Sequence, residues 1–387
     1  MTGPQLPTRR QLPTRRRGRR RLAVLLGALC APLLLVLTSP GASAFTLTPV
    51  SLPADEAAHR GAAMEWWYFT GHLQGTDIFG GRHEYGFEVT HIRLDALDSE
   101  PLAAAYNGHL AISDITRGTF KQNMSTISLQ PDVVPAGGGF NNTVGPLHMD
   151  GKNGVNHLFA GFADLSYSSI NLTLSQSTPT AKHGNAGIIP YGPFGESAYY
   201  SQTNLKVKGT LFDHGLLVNV TGIGWQDHQW GDFEPGTGGW DWFAIQLSNN
   251  TQYMLYFIKD ENEEIVETVG TLVKADGSTT NLDPALVTET TLGSWTSPHT
   301  GHVYGQKWRV TVPGGTLTIT PKLADQELYI PLIANEDTGS YWEGASTVTG
   351  TINGQPVTGQ SYVELTPTYT MFTRGFVFDL IKDALGL

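Results

Sequence analysis

The sequence predicts an all-β protein built from two successive antiparallel up-and-down units, followed by one short C-terminal helix. Three observations predict it. Glycine is abundant, at 45 residues, aromatic residues make up 10% of the chain, and short alternating runs broken by Gly, Asn, Asp and Pro recur along it. Helical spacing is scarce by comparison. Two stretches echo each other: "EWWYFTGHLQG", "HEYGFEVTHIRL" and "GHLAISDITRGTF" early in the chain, then "GWDWFAIQLSNN", "YMLYFIKD" and "GTLVKADGST". Each starts with an acid, a Trp and further aromatics in a strand-like run, turns at polar residues and returns as a second apolar strand. That is the pattern of a duplicated unit.

Taken in order, residues 1–44 are a basic run, an apolar run and Ala42-Ser43-Ala44, the arrangement of a cleavable export signal. An uncleaved anchor over Leu22 to Thr38 is the competing reading, disfavoured by Pro32 and the small-residue cleavage pattern. The paired arginines leave Sec and twin-arginine export both open. The first unit is expected over 45–235 and the second over 236–387, joined at "EPGTGG". A single large sandwich is the alternative arrangement. The tail "FVFDLIKDALGL" carries the helix, with Phe376 and Leu380, and Val377, Ile381 and Leu385, at helical spacing.

Removal of the leader takes away eight arginines and no acid, so Lys+Arg falls from 24 to 16 against 35 Asp+Glu, a net charge of −19. A mature chain so acidic has no electrostatic footprint for nucleic acid or anionic lipid. The single cysteine, Cys30, leaves with the leader, which excludes a disulfide framework and a thiolate metal site. The sequence does not specify an oligomeric state.

Side chains alternate along a strand. In "EWWYFTGHL", Glu65 therefore shares a face with Trp67, Phe69 and Leu73, while Trp66 and Tyr68 point the other way. His91 falls with Tyr85, Phe87 and Val89, on the face expected to point into a barrel. Each such acid or imidazole is either a satisfied core group bonded to a neighbouring strand or part of a site. A hydrolase reading finds only Ser197 in "GESAY", which lacks the second glycine of a nucleophile elbow. A zinc site drawing on His214, Asp227 and His228, or on His91 and His109, lacks helical ligand spacing, so neither metal nor cofactor is expected.

A different constellation remains. Trp66, Trp67, Trp225, Trp230, Trp240, Trp242 and Trp342 each lie within two residues of an acid: Glu65, Asp227, Asp232, Asp241 or Glu343. A carboxyl surrounded by apolar groups stays protonated near neutrality and donates to weak acceptors. Aromatic faces stabilise the cation that such a donation creates. Protonation of an isolated C=C bond needs both. The competing reading is that Trp beside acid marks barrel rims, where indole N–H groups find carboxylates.

In order, "EWWYFTGHL", "GWQDHQWGDF", "GWDWFAIQL", "SPHTGHVYGQKW", "DQEL" and "YWEGASTVTGTINGQPVTGQSYVEL" resemble the carotenoid 1,2-hydratase (hydroxyneurosporene synthase) family, which includes secreted AttH-like lipocalin-domain proteins. The resemblance spans nearly the whole mature chain. It implies two tandem lipocalin-like β-barrels and cofactor-free addition of water to an isoprenoid double bond. The family motifs fall on Glu65 to Tyr68, on Trp225, Asp227, His228, Trp230 and Gly231, and on Tyr341 to Gly344. The insertion "QPDVVPAGGGFNNTVGPLHMDGKNG" is less family-like.

These readings combine into an exported enzyme acting on a small hydrophobic isoprenoid or polyene, compatible with peripheral membrane contact. Asp227 is the expected proton donor and His228 its tuner or water-positioning partner, with Glu65 or Asp241 as the fallback acid. Trp66, Tyr68, His91, Trp225, Trp230, Trp242, Tyr341 and Glu343 are expected around the substrate, whereas Glu364 reads as structural. A straight strand would place Asp227 and His228 on opposite faces; Gly222, Gly224 and Gly231 would permit a bulge that reunites them. A lipid or terpenoid carrier without chemistry and a secreted hydrolase are the alternatives.

Overall fold

The computed structural model describes residues 45–95, 104–162, 168–233, 238–330 and 340–367. The leader, the residues 234–237 at the expected join and the expected C-terminal helix lie outside the described residues. Among the described residues there is no α-helix, only two 3-10 turns at Ala54–Glu56 and Pro284–Leu286. The fold is all-β.

One sheet is formed by β1 (Met64–Asp77), β2 (Arg82–Leu94), β3 (Ala104–Asp114), β4 (Thr119–Gln130), β5 (Phe140–Val144), β6 (Leu147–Lys152), β7 (Val155–Gly161), β8 (Ser169–Gln176), β9 (Ala181–Lys182), β10 (Ile188–Pro190), β11 (Glu196–Asp213) and β12 (Leu216–Gly231). The other comprises β13 (Trp240–Leu247), β14 (Gln252–Lys259), β15 (Ile265–Val273), β16 (Thr279–Asn281), β17 (Thr288–Thr296), β18 (Val303–Val312), β19 (Gly315–Pro321), β20 (Glu327–Tyr329), β21 (Ser340–Ile352) and β22 (Gln355–Thr366). Neighbouring strands in the first run β4-β3-β2-β1-β12-β11-β8-β7-β6-β5, and in the second β16-β15-β14-β13-β22-β21-β19-β18-β17. The two echoing segments, β1 and β13, hold equivalent places, each between the strand that follows it and the last strand of its sheet. The first sheet curls until its ends meet. A Cβ on Gly108 of β3 would lie 3.1 Å from Val144 of β5, so glycine there admits the closing strand.

Each sheet wraps its own apolar interior, one containing Trp67, Phe69, Phe87 and Leu172, the other Phe243, Leu255, Trp308 and Trp342. A third buried cluster, with Tyr68, Trp225, Trp242, Tyr256 and Tyr341, lies between the sheets and draws on both. This explains why β1, β2, β3 and β13 are buried on both faces over long runs, while β7 alternates buried and exposed residues against solvent. Polar contacts also cross between the sheets: Gln246 Nε2 donates to the carbonyls of Thr203 and Gly224 (2.8 and 3.0 Å), and Lys322 pairs with Glu84. The described residues, from 45 to 367, form one compact unit.

Candidate active site

The register of β12 builds the site. β1 pairs with β12 without interruption from Met64↔Gly231 to Asp77↔Val218, so β12 carries no bulge against β1. Gly71 faces Gly224 and Leu73 faces Gly222. A Cβ at Gly222 would stand 1.9 Å from the His72 carbonyl oxygen, so this glycine serves close strand approach rather than a bulge. In consequence Tyr68, Asp227 and Ser201 line up on one face of the sheet, and Trp67, His228 and Tyr200 on the other. The expected Asp227–His228 partnership does not form.

The Asp227 face looks across at the second sheet, onto a cavity of about 530 Å³ of empty space counted with its mouth. Its wall takes Trp66 and Tyr68 from β1, Thr90 and Ile92 from β2, and Tyr199 from β11. Asp227 and Gln229 come from β12, and Trp240, Trp242, Tyr256, Tyr341 and Glu364 from the second sheet. Asp227 accepts from Tyr199 Oη (2.6 Å), Trp225 Nε1 (2.6 Å) and Ser201 Oγ. Tyr199 is itself held by Trp242 Nε1 at 3.0 Å, which commits its hydroxyl proton to Asp227. Burial pushes the Asp227 carboxyl up to about 7 despite these donors.

Glu364 was expected to be structural, bonded to backbone; instead its carboxyl lines the cavity, with the Trp240 and Thr366 side chains as its donors. Burial first, and then the charge of Asp227, lift it to about 8 against those donors. Glu343, one strand away, accepts from Tyr68 Oη at 2.5 Å. Burial, reinforced by the charges of Glu364 and Glu88, holds its carboxyl well above the usual range. Glu88 on β2, also buried, is raised to about 8 chiefly by burial. Tyr341 bonds His109 Nδ1 at 2.9 Å.

Of the sequence-expected residues, Trp66, Tyr68, Asp227, Trp242 and Tyr341 thus meet at the cavity, with Trp225 and Glu343 bonded directly behind it. Glu65, His91, His228 and Trp230 do not, because alternation turns them inward or to the end of the first barrel. Glu65 Oε1 bridges His59 Nδ1 (2.7 Å) and His228 Nε2 (2.8 Å), and Oε2 accepts the His59 amide (2.8 Å). Burial alone would raise the Glu65 carboxyl; the two histidines outweigh it and hold it at about 2. Trp230 stacks on His59 at 3.9 Å. His91 is fully buried beside the interior, where burial depresses its ring to about 3. Asp241, on the far face from Trp240 and Trp242, pairs with Lys259 at 2.6 Å.

His59, Glu65 and His228 have ligand atoms within 4.8 Å of one another, as do Asp114, Asp213 and His214. In the first group those atoms already satisfy one another, and in the second Arg117 pairs with both aspartates. The zinc combinations weighed from the sequence are not assembled: Asp227 and His228 diverge, and so do His91 and His109. Ser197 accepts from Gln229 Nε2 (2.7 Å), an amide rather than an imidazole.

The residues that sequence reasoning missed are Tyr199, Tyr256, Thr90, Ile92, Gln229, Glu88 and Glu364, together with Trp240, which the sequence marks only by the acid beside it. Tyr199, Tyr256 and Glu88 each stand on the same face of a strand as a residue of the inter-sheet cluster, and two-sided burial of that strand is the signal that marks them.

The sequence profile of the AttH-like family matches residues 44–368. Over 241 residues, 58% of this chain and 67% of the relative, the chain is 22% identical to kievitone hydratase of Fusarium solani subsp. phaseoli. Among solved structures, the AttH candidate NE1406 of Nitrosomonas europaea superposes with a TM-score of 0.69 at 27% identity, covering 87% of this chain and 100% of that one. Kievitone hydratase of Nectria haematococca shares the fold, with a TM-score of 0.63 at 18% identity over 83% of this chain and 94% of its own.

Proposed function

This chain belongs to the AttH-like family, and on that footing we propose that it is a hydratase-like enzyme, adding water across a C=C bond of a hydrophobic isoprenoid or polyene in the cavity between the sheets. One observation carries the reading: two carboxyls, Asp227 and Glu364, face one cavity walled by Trp66, Tyr68, Trp240, Trp242, Tyr256 and Tyr341. The hydratase name of a relative supports it.

The surroundings divide the roles. Glu364, raised to about 8, is neutral at neutral pH and is the proton donor. Asp227, poised at about 7 and held by three donors, is the base. Glu364 transfers its proton to one alkene carbon. The cation left on the other carbon is faced by indole and phenol rings. Water forms the C–O bond there and gives its proton to Asp227; the product is an alcohol, and both carboxyls return to their starting states through solvent. Capture by a second double bond of the same substrate closes a ring instead; Asp227 then takes a proton from a carbon beside the new cation, which leaves a cyclic isomer of the substrate. This revises the expected role of Asp227 from donor to base and gives His228 and Glu65 a place in the framework.

A serine hydrolase fits less well. Ser201 Oγ does meet both Asp227 Oδ1 and His183 Nε2 (2.7 Å), but the order is acid–hydroxyl–imidazole, so no carboxylate orients the base. We also propose export after removal of the leader, whose expected end coincides with the start of the family match at residue 44.

The test is incubation of the mature chain with acyclic isoprenoids and polyenes in ¹⁸O-labelled water. The expected product carries one labelled oxygen, or is a ring isomer of the substrate. A ligand that co-purifies and is recovered unchanged across the panel would make the protein a carrier, and Glu364→Gln turning over at the wild-type rate would remove the assigned acid.

A further inference from the structure

Glu343 and Glu364 are direct cross-strand partners in the β21–β22 register, and alternation puts both on the face that looks at the first sheet. Like charges directly opposite on a sheet repel, and here water is largely excluded. Glu343 is fully buried. The charged and titratable groups facing the pair are Tyr68 on β1, Glu88 on β2, Asp227 on β12, Tyr191 before β11, Tyr256 on β14, Tyr341 on β21 with His109 of β3 bonded behind it, and Tyr362 on β22 with His72 of β1 against its ring. None of these is a cation, since burial holds both imidazoles at about 3. The pair therefore cannot carry two negative charges and must retain a proton.

The hydrogen bonds say where. Glu343 Oε1 is taken by the Tyr68 hydroxyl at 2.5 Å, and Oε2, buried, has no partner. Glu364, which lines the cavity, has both the Trp240 and the Thr366 side chains as donors, so its carboxylate is the better satisfied of the two and Glu343, with one donor and a bare oxygen, is the one that keeps the proton. We propose that Glu343 and Glu364 form a carboxylic-acid dyad in which Glu343 stays neutral, with its proton on Oε2, and donates that proton as a hydrogen bond to Glu364 whenever Glu364 ionises. Glu343 is then a positioning residue. It stabilises the conjugate base of the acid through the step in which the alkene becomes a cation, and no proton leaves it. Tyr68 matters because its donation to Oε1 fixes the Glu343 proton on the other oxygen.

The role in turnover rests on the hydratase reading, but the dyad itself is tested without substrate. The mature full chain is titrated by infrared spectroscopy, following the C=O stretch of the protonated acid that disappears in Glu364→Gln. In Glu343→Met the donor is lost, and the pH at which Glu364 ionises should rise by about 1–2 units, the worth of one hydrogen bond to a charged group. In Glu343→Gln, neutral and still a donor, it should stay within about half a unit. A fall in either variant shows that Glu343 carries charge and overturns the dyad; an unmoved Glu364 in Glu343→Met does the same. If Glu343→Met does not fold, Glu343→Gln alone decides, since removing a charged neighbour would lower the midpoint and removing a neutral one would not. Turnover separates the two claims. Shifts as stated with no product from any substrate leave the dyad standing and sink the hydratase reading, whereas labelled product with unmoved midpoints does the reverse.

Discussion

Glu364 and Asp227 face the same space from different sheets, and their surroundings order their protonation. In the proposed mechanism Asp227 must be ionised to take a proton from water, and Glu364 must be neutral to give one. Turnover is therefore expected to rise as the pH climbs through about 7 and to fall beyond about 8, a narrow bell read from kcat/KM against pH. Glu364→Gln should lose the acidic proton and cost on the order of 10²- to 10⁴-fold in kcat, with the fold intact by circular dichroism. His228 is expected to behave oppositely. His228→Leu removes one donor to a buried carboxylate and should lower unfolding stability by about 1.5–3 kcal/mol in a urea melt, while the folded fraction keeps its kcat. At this scale the sequence was legible where alternation decides: it separated Trp66 and Tyr68 from Glu65 and Trp67. It was not legible for Glu364, because the proposed chemistry of that residue depends on Asp227 and an aromatic wall that, Tyr341 apart, comes from strands more than a hundred residues away.

At the scale of the strand, β12 shows what the glycines of "GIGWQDHQWG" are for. Gly222 permits β1 and β12 to approach closely, Gly224 lies against Val207 and Leu174 and Gly231 against the Glu196 carbonyl of β11, and the straight ladder sends Asp227 to the cavity and His228 to the interior. In Gly222→Ala the new Cβ meets a backbone carbonyl, which cannot rotate away as a side chain would. That variant should lose about 1–3 kcal/mol or more in a denaturant melt. Gly161→Ala, whose Cβ would make an ordinary 3.4 Å contact, should lose less. Local pattern gave the strands and their faces, since period-2 alternation is a property of a few consecutive residues. Whether a bulge interrupts a strand depends on the register of its neighbour, which no local window contains. The strands of "EWWYFTGHL" and "GWDWFAIQL", apolar on both faces, did signal two-sided cover, although nothing in them names the partner.

For the molecule as a whole, acids of opposite disposition shape the dependence of stability on pH. The Glu65 carboxyl is held at about 2, below its ordinary value; its contribution is full above that value and is lost as the pH falls toward 2. Glu88, Asp227 and Glu364 are raised. What they contribute is full below the ordinary carboxyl range and is lost as the pH rises through about 7 to 8, where each must ionise in place. The melting temperature should therefore peak in mildly acidic buffer and decline toward pH 9. Glu88→Gln should flatten that decline and raise stability at pH 9 by on the order of 2 kcal/mol or more, measured by calorimetry across pH.

The cavity between two separately cored sheets has an evolutionary corollary. Side chains that line the cavity stand on the outer surfaces of both scaffolds, so they can be exchanged without repacking the interior of either. Ligand preference can thus drift quickly on a framework that hardly changes. Moving a loop or swapping one half between relatives would recombine half-sites rather than rebuild a pocket from nothing.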